Sequence, residues 1–448
     1  MFTISINTGT IIDVKNRCSK IGSIGIKDGF IAEISNKPLL ADIMIDATGL
    51  IVAPGFIDPH AHVDGDIYAG ELSACQGITT TVGGNCGLSP LNIQQFFEEQ
   101  KKGFPINQAE LIGHTFTLRK AVGLSDVHEP ADKWQIETMV SMANEALLSG
   151  ACGVSLGLDY APGSSLEEIT RMAEVSAKFH KVCPVHSRLF TQNDLLSLYE
   201  LFSVQKKTGV RMLLSHFVYQ YCAGGVDFAL KIVDEAIKKG LDLHIDSGMY
   251  TNWATYIGTA TYEEANLRDN NMKFADMIVA TGVHFGRRMD EKLYSYMRKN
   301  CPQDSVIYCE GRQEDVYKCL LKPYASPSTD IGAYGKGEGH PQIAGSFPKY
   351  IKEMVCEHKL LTIEEAVYKA SLLPAQLFGF KNKGEIGKGM DADLVIFDLD
   401  TISDKAQFPD CGRPDEKPEG IPYVIVNGAF VVRDGVYTGA KPGGIIRI

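Results

Sequence analysis

IVAPGFIDPHAH, residues 51–62, is a short apolar run that closes on two histidines, His60 and His62. Side chains alternate faces along a strand, so histidines two apart point the same way and can reach one metal ion. An isolated pair of this kind decides little. Its weight comes from the runs that follow: ITTTVGG (78–84), AELIGHT (109–115), CGVSLGL (152–158), VCPVHS (182–187), RMLLSHF (211–217), LDLHIDS (241–247) and LKPYASPSTD (321–330). Amphipathic segments separate them. Ser165 with Glu168 and Thr362 with Glu365 stand at capping-box spacing ahead of helical runs, and the run 227–240 ends in lysines followed by Gly240. Eight apolar runs alternating with helices predict an α/β chain whose parallel strands close a TIM-type (β/α)8 barrel, with reactive groups where strands end and loops begin.

Four imidazoles fall at those ends. His60 and His62 end the first run, His186 the fifth and His216 the sixth. Neutral imidazoles converging from three strands are what a zinc ion stabilises. Cys86 ends the second run in TTTVGGNCGLSP (79–90), framed by glycines that let backbone approach closely, and as a thiolate it is a soft zinc ligand. Asp330 closes the eighth run; facing a metal, it can hold the bound water, take its proton and deliver it to a leaving nitrogen.

The rest of the chain bounds the reading. Both ends, roughly the first fifty and last sixty residues, read as short strands joined by turns such as Lys27-Asp28-Gly29, Asn427-Gly428 and Asp434-Gly435. Residues 252–319, about, exceed what one connection needs and are expected to lie over the barrel mouth. With 44 basic against 55 acidic residues the net charge is −11, which disfavours nucleic acid and anionic membranes as partners. No stretch approaches the ~18 apolar residues of a membrane span, and the amino terminus lacks a signal-peptide pattern. Eleven cysteines without a CxxC pair fit reduced thiols and a cytoplasmic location. A small-molecule substrate is expected, and a homo-oligomer stays open.

These residues resemble the amidohydrolase superfamily and, within it, the N-acyl-D-amino-acid deacylase (D-aminoacylase) family. The resemblance spans nearly the whole chain. It rests on GFIDPHAH (55–62), GNCG (84–87), GHTFTLR (113–119), GLDYAPGSS (157–165), LSHF (214–217) and EDVYKCLLKPYASPSTD (314–330), with HPQIAGSFPKY, LPAQLFG, GEIGKGMDADLVIFD and TGAKPG following in order. The resemblance implies a distorted (β/α)8 barrel over 53–384 and a small β-sandwich built from 1–52 plus 385–448. It implies that Cys86, His186 and His216 hold one tightly bound zinc. His60 and His62 would line a second, weaker position, with Cys86 between the two and Asp330 as base and then acid. Hydantoinases and dihydroorotases resemble the same superfamily but use a carboxylated lysine from the fourth strand, and 151–163 contains no lysine.

The expected activity is zinc-dependent hydrolysis of a non-peptide carbon–nitrogen bond. A cyclic-amide hydrolase and a non-catalytic scaffold of the same fold are the rivals. Tyr160 and Gln342 are the expected substrate contacts, and His114, His244, His284 and His340 are read as supporting or structural. Two positions depart from the deacylase pattern: Gln342 follows His340-Pro341 where arginine is usual, and Val218 stands where a lysine is usual. Both changes remove a cation. The expectation is therefore a substrate that is neutral or has its anionic group elsewhere, unless Arg119, Arg188 or Lys322 restores the charge.

Overall fold

A computed structural model describes residues 1–188, 195–221 and 224–448. The barrel is built from Phe56–Asp58, Ile78–Gly83, Asn107–Glu110 continued by Ile112–Gly113, Val154–Gly157, Val182–His186, Arg211–Leu214, Leu243–Ser247 and Ala325–Pro327. All eight expected runs supply a strand. Neighbouring strands pair in parallel, and apart from Arg211 and His244 their residues are buried, as strands covered on both faces must be.

Two breaks make the barrel irregular. The third strand splits at Leu111, its first half pairing with the second strand and its second half with the fourth. Strands one and eight meet only past their ends, through Asp330 N–H to the His60 carbonyl at 2.9 Å and His62 N–H to the Ile331 carbonyl at 2.7 Å. The last pairing of the barrel thus falls on the predicted site residues.

The opening run also divides. Ile51–Pro54 pairs with Phe2–Asp13 and Leu394–Phe397, and only Phe56–Asp58 enters the barrel. Gly55 turns the corner, where an added Cβ would lie 2.2 Å from the Thr79 side chain. The terminal strands form one nine-stranded sheet that mixes both chain ends, closed around Ile4, Ile6, Ile24, Ile26, Leu394 and Ile396.

Within the expected mouth insertion, Trp253–Tyr256, Met277–Val279 and Ser305–Tyr308 form an antiparallel sheet with its own core of Tyr262, Leu293, Met297 and Val306. Gln313–Leu320 is different: it packs against the helix Val226–Lys238 and the strand Leu243–Ser247, as a barrel helix does. At the opposite end, the last residues leave the terminal sheet and bond to the third strand, with Gln108 N–H to the Gly444 carbonyl at 2.9 Å and Ile446 N–H to the Gln108 carbonyl at 2.8 Å. Ten described cysteines are free, and Cys222 lies outside the described residues.

Candidate metal centre and substrate cavity

Three residues of the centre carry left-handed backbone: Cys86 (φ 51°), His216 (φ 33°) and Asp330 (φ 52°). Such conformations cost side-chain-bearing residues energy and persist only where surroundings hold them. Gly84 and Gly87, also left-handed, flank Cys86; an added Cβ on Gly84 would lie 2.4 Å from the Leu111 carbonyl. The turn therefore drives Cys86 over the barrel axis.

Cys86 Sγ lies 3.3 Å from His60 Nε2, 3.6 Å from His216 Nε2 and 3.7 Å from His186 Nδ1. Asp330 Oδ1 is 3.4 Å from Nε2 of both His60 and His62. Two triads have donor atoms within 4.8 Å of one another: His60, His62 and Cys86, and Cys86, His186 and His216. Cys86 is common to both. A buried thiol ringed by imidazoles whose nearest neighbours are each other is a donor set suited to zinc. The buried Nδ1 atoms of His62 and His216 have no hydrogen-bond partner among the described residues, so those rings are oriented by packing and by what meets Nε2.

The electrostatics agree. Burial alone would raise the Cys86 thiol, but His60, His186 and His216 hold it well below its ordinary value. Burial opposes charge on the histidines too, yet Asp330 and Cys86 lift His62 to about 10, and Asp159 and Cys86 lift His186 to about 9. Against its own burial, His62, His60 and His216 keep Asp330 below the usual carboxylate range. The site is poised as an anionic thiolate and carboxylate among cations, the charge pattern a metal ion replaces.

Supporting residues that sequence reasoning missed fix this geometry. Asp246 Oδ2 lies 3.3 Å from His60 Nδ1, while its Oδ1 accepts the His216 N–H at 2.9 Å and the Ser328 hydroxyl at 2.7 Å. One carboxylate thus ties together strands one, six, seven and the end of eight, and orients a candidate ligand ring. Asp58, which burial raises to about 7, accepts the His60 N–H at 3.1 Å and also binds Thr329. The available signal was strand alternation: Asp246 and Asp58 each sit two residues from a histidine on a barrel strand.

A cavity of about 480 Å³ opens beside the centre, reaching His62, Cys86, His216 and Asp330. Tyr160 lines it, its ring 4.5 Å from that of His186. Gln342 does not. Its Nε2 donates to the Asp330 carbonyl at 2.7 Å and its Oε1 accepts from the Tyr219 hydroxyl at 3.4 Å, so it holds the strained Asp330 backbone. The four histidines expected to be supporting or structural also stand outside the lining. His114 pairs with Glu168 at 2.7 Å, His244 with Asp242 at 3.3 Å, His284 lies near Arg287, and His340 Nδ1 accepts the Gln342 N–H at 3.0 Å.

Residues 51–431 match the model of the amidohydrolase family. The chain belongs to the amidohydrolase family. It is 30% identical to an N-acyl-D-glutamate deacylase of Alcaligenes xylosoxydans xylosoxydans, over 99% of this chain and 96% of that protein. It is 28% identical to a D-aminoacylase of the same organism, over 99% and 97%. A crystal structure of an N-acyl-D-glutamate deacylase from Bordetella bronchiseptica, complexed with zinc and a phosphonate mimic of the tetrahedral intermediate, superposes with a TM-score of 0.87 at 26% identity over all of both chains. This amidohydrolase therefore groups with the N-acyl-D-amino-acid deacylases and is an enzyme acting on carbon–nitrogen bonds other than peptide bonds. Its fourth strand, Val154–Gly157, carries no lysine.

Proposed function

We propose that this amidohydrolase removes the acyl group from an N-acylated amine, with Cys86, His186 and His216 holding zinc and Asp330 carrying the proton. The observation that supports it most is Asp330 Oδ1 at 3.4 Å from both His60 and His62, at the cavity wall and beside the Cys86 thiol. Zinc bound in such a site supplies Lewis acidity to an acyl carbonyl and lowers the pKa of water toward ~7.

The chain's own residues do the rest. Asp330, kept ionised by its histidine neighbours, accepts the proton of the attacking water and passes it to the leaving nitrogen, whose bond to the acyl carbon then breaks. Gln342 and the His60 carbonyl anchor its backbone so that the carboxylate stays aimed. His60 and His62 flank the same carboxylate and line the second, weaker metal position with Cys86. Tyr160 forms wall beside His186. Free cysteines fit a cytoplasmic location.

Asp330→Asn keeps shape and hydrogen bonding but removes the proton acceptor. Turnover is expected to fall on the order of 10² or more while zinc content, measured by atomic emission, is retained. Near-normal turnover in that variant contradicts the proposal.

A further inference from the structure

Apart from the histidines of the metal centre, carboxyl groups and aromatic rings line the cavity, and among the described residues no lysine or arginine does. Asp64, Asp66 and Asp330 line it, with Phe116, Tyr160 and Tyr334 among the apolar walls. Neither Lys nor Arg is among the lining residues, and the positions outside the described structure, 189–194 and 222–223, contain neither.

Arg119, Arg188 and Lys322 are each engaged elsewhere. Arg119 is buried on Glu168 at 2.6 Å and on the Glu129 carbonyl at 2.5 Å. Arg188 binds Glu200 at 3.0 Å and the Pro162 carbonyl at 2.8 Å. Lys322 binds Asp234 at 2.6 Å on the outer helix layer. Lys336, two residues past Tyr334, is exposed and outside the lining. Val218 is packed in the barrel core and Gln342 is engaged by Asp330 and Tyr219.

Asp66 sits in this wall as the N-cap of the helix Ile67–Cys75, accepting the Ala69 N–H at 2.8 Å. A substrate carboxylate entering here would lose water, meet no ammonium or guanidinium, and face carboxylates instead. Charge-assisted bonds that normally compensate such a transfer are worth about tenfold or more in affinity each. Aromatic faces, by contrast, accept neutral or cationic groups well.

We infer that the amine released by this enzyme bears no carboxylate: the substrate is an N-acylated amine, or an N-acyl amino acid whose carboxyl is blocked as an amide or ester. The inference rests on the deacylation proposed above. Hydrolysis breaks the acyl carbon–nitrogen bond, water supplying oxygen to the acyl product and hydrogens to the neutral or cationic amine.

The test compares kcat/KM of the zinc-loaded enzyme on N-acetyl-D-methionine, its primary amide and N-acetyl-1,4-diaminobutane. The amide or the diamine derivative is expected to exceed the acid by about tenfold or more, one lost charge contact being worth at least that. Titration calorimetry on zinc-loaded Asp330→Asn should give the same order in Kd. An acid cleaved or bound as well as both neutral and cationic partners overturns the inference and leaves the deacylase reading standing. Cleavage of none overturns both. Asp66→Asn keeps the cap and removes a charge, so the ratio of kcat/KM on the acid to that on the amide should rise about threefold; an unchanged ratio overturns the electrostatic assignment. Lys336→Ala should change neither substrate, and a selective loss on the acid would show that this lysine recognises carboxylate.

Discussion

The two ends of the barrel are built from opposite materials. At the mouth, Cys86, His216 and Asp330 adopt left-handed backbone, buried imidazoles crowd one thiol, and a single carboxylate, Asp246, braces strands one, six and seven. At the base, Ile57, Val82, Leu111, Val182 and Leu213 pack against Leu377, Phe378 and Phe380, with Ile446 and Ile448 of the carboxy-terminal tail closing over them. Strain and buried paired charge gather where a metal and substrate can recover their cost, while apolar burial holds most of the base. Chemistry and stability are thereby separated along one barrel axis.

That separation can be broken most sharply at Cys86. Cys86→Ala is expected to strip most of the zinc, which in the wild-type protein should survive dialysis at close to one per chain, and to lower turnover on the order of 10³-fold. Its melting temperature, scanned without metal, should stay near that of metal-free wild type. Leu213→Ala reverses the pattern. A fully buried leucine removed from the base costs about 2–5 kcal/mol, read as a shift in the urea midpoint, with zinc content and kcat retained.

Glu168 sharpens the comparison from between the ends, since it joins His114 and Arg119 beneath the cavity and also caps its own helix. Glu168→Gln is expected to cost about 1–3 kcal/mol at pH 7. Burial opposes its charge, but His114 and Arg119 hold its carboxyl below the ordinary value. A depressed folded pKa gives stability that is fully present above the unfolded value of ~4.3 and disappears as pH falls through the lower folded value. The urea-midpoint gap between wild type and Glu168→Gln should therefore hold from pH 7 to about pH 5 and narrow below it. A gap that widens in acid would reverse the sign. The smallest effect belongs to Tyr160→Phe, which keeps the ring against His186; KM should rise less than about tenfold, with kcat nearly unchanged.

What could be read from the sequence follows the range of the interactions. Ser165–Glu168 and Thr362–Glu365 form capping boxes as spaced, because a cap is closed within four residues. His60, His186, His216, Cys86 and Asp330 converge because strand ends in a closed barrel share one rim. The division of 51–62 at Gly55 escaped notice: its cause is the Thr79 side chain on another strand. The bonds of Gln342 to Asp330 and Tyr219 cannot be read from HPQ, because both partners lie across the mouth. Asp246 draws no attention in LDLHIDS, since its importance lies in His60, His216 and Ser328, each at least 30 residues away. The tail that seals the base has the same character, with Ile446 bonding to Gln108.

The central claim is that Cys86 is a zinc ligand shared with histidines. Zinc K-edge X-ray absorption on the dialysed enzyme tests it most directly. The account predicts a coordination shell with one sulfur at about 2.3 Å and nitrogen or oxygen ligands at about 2.0–2.2 Å, the sulfur absent in any zinc that Cys86→Ala retains. A wild-type shell of nitrogen and oxygen alone, or a sulfur that persists in Cys86→Ala, would contradict it.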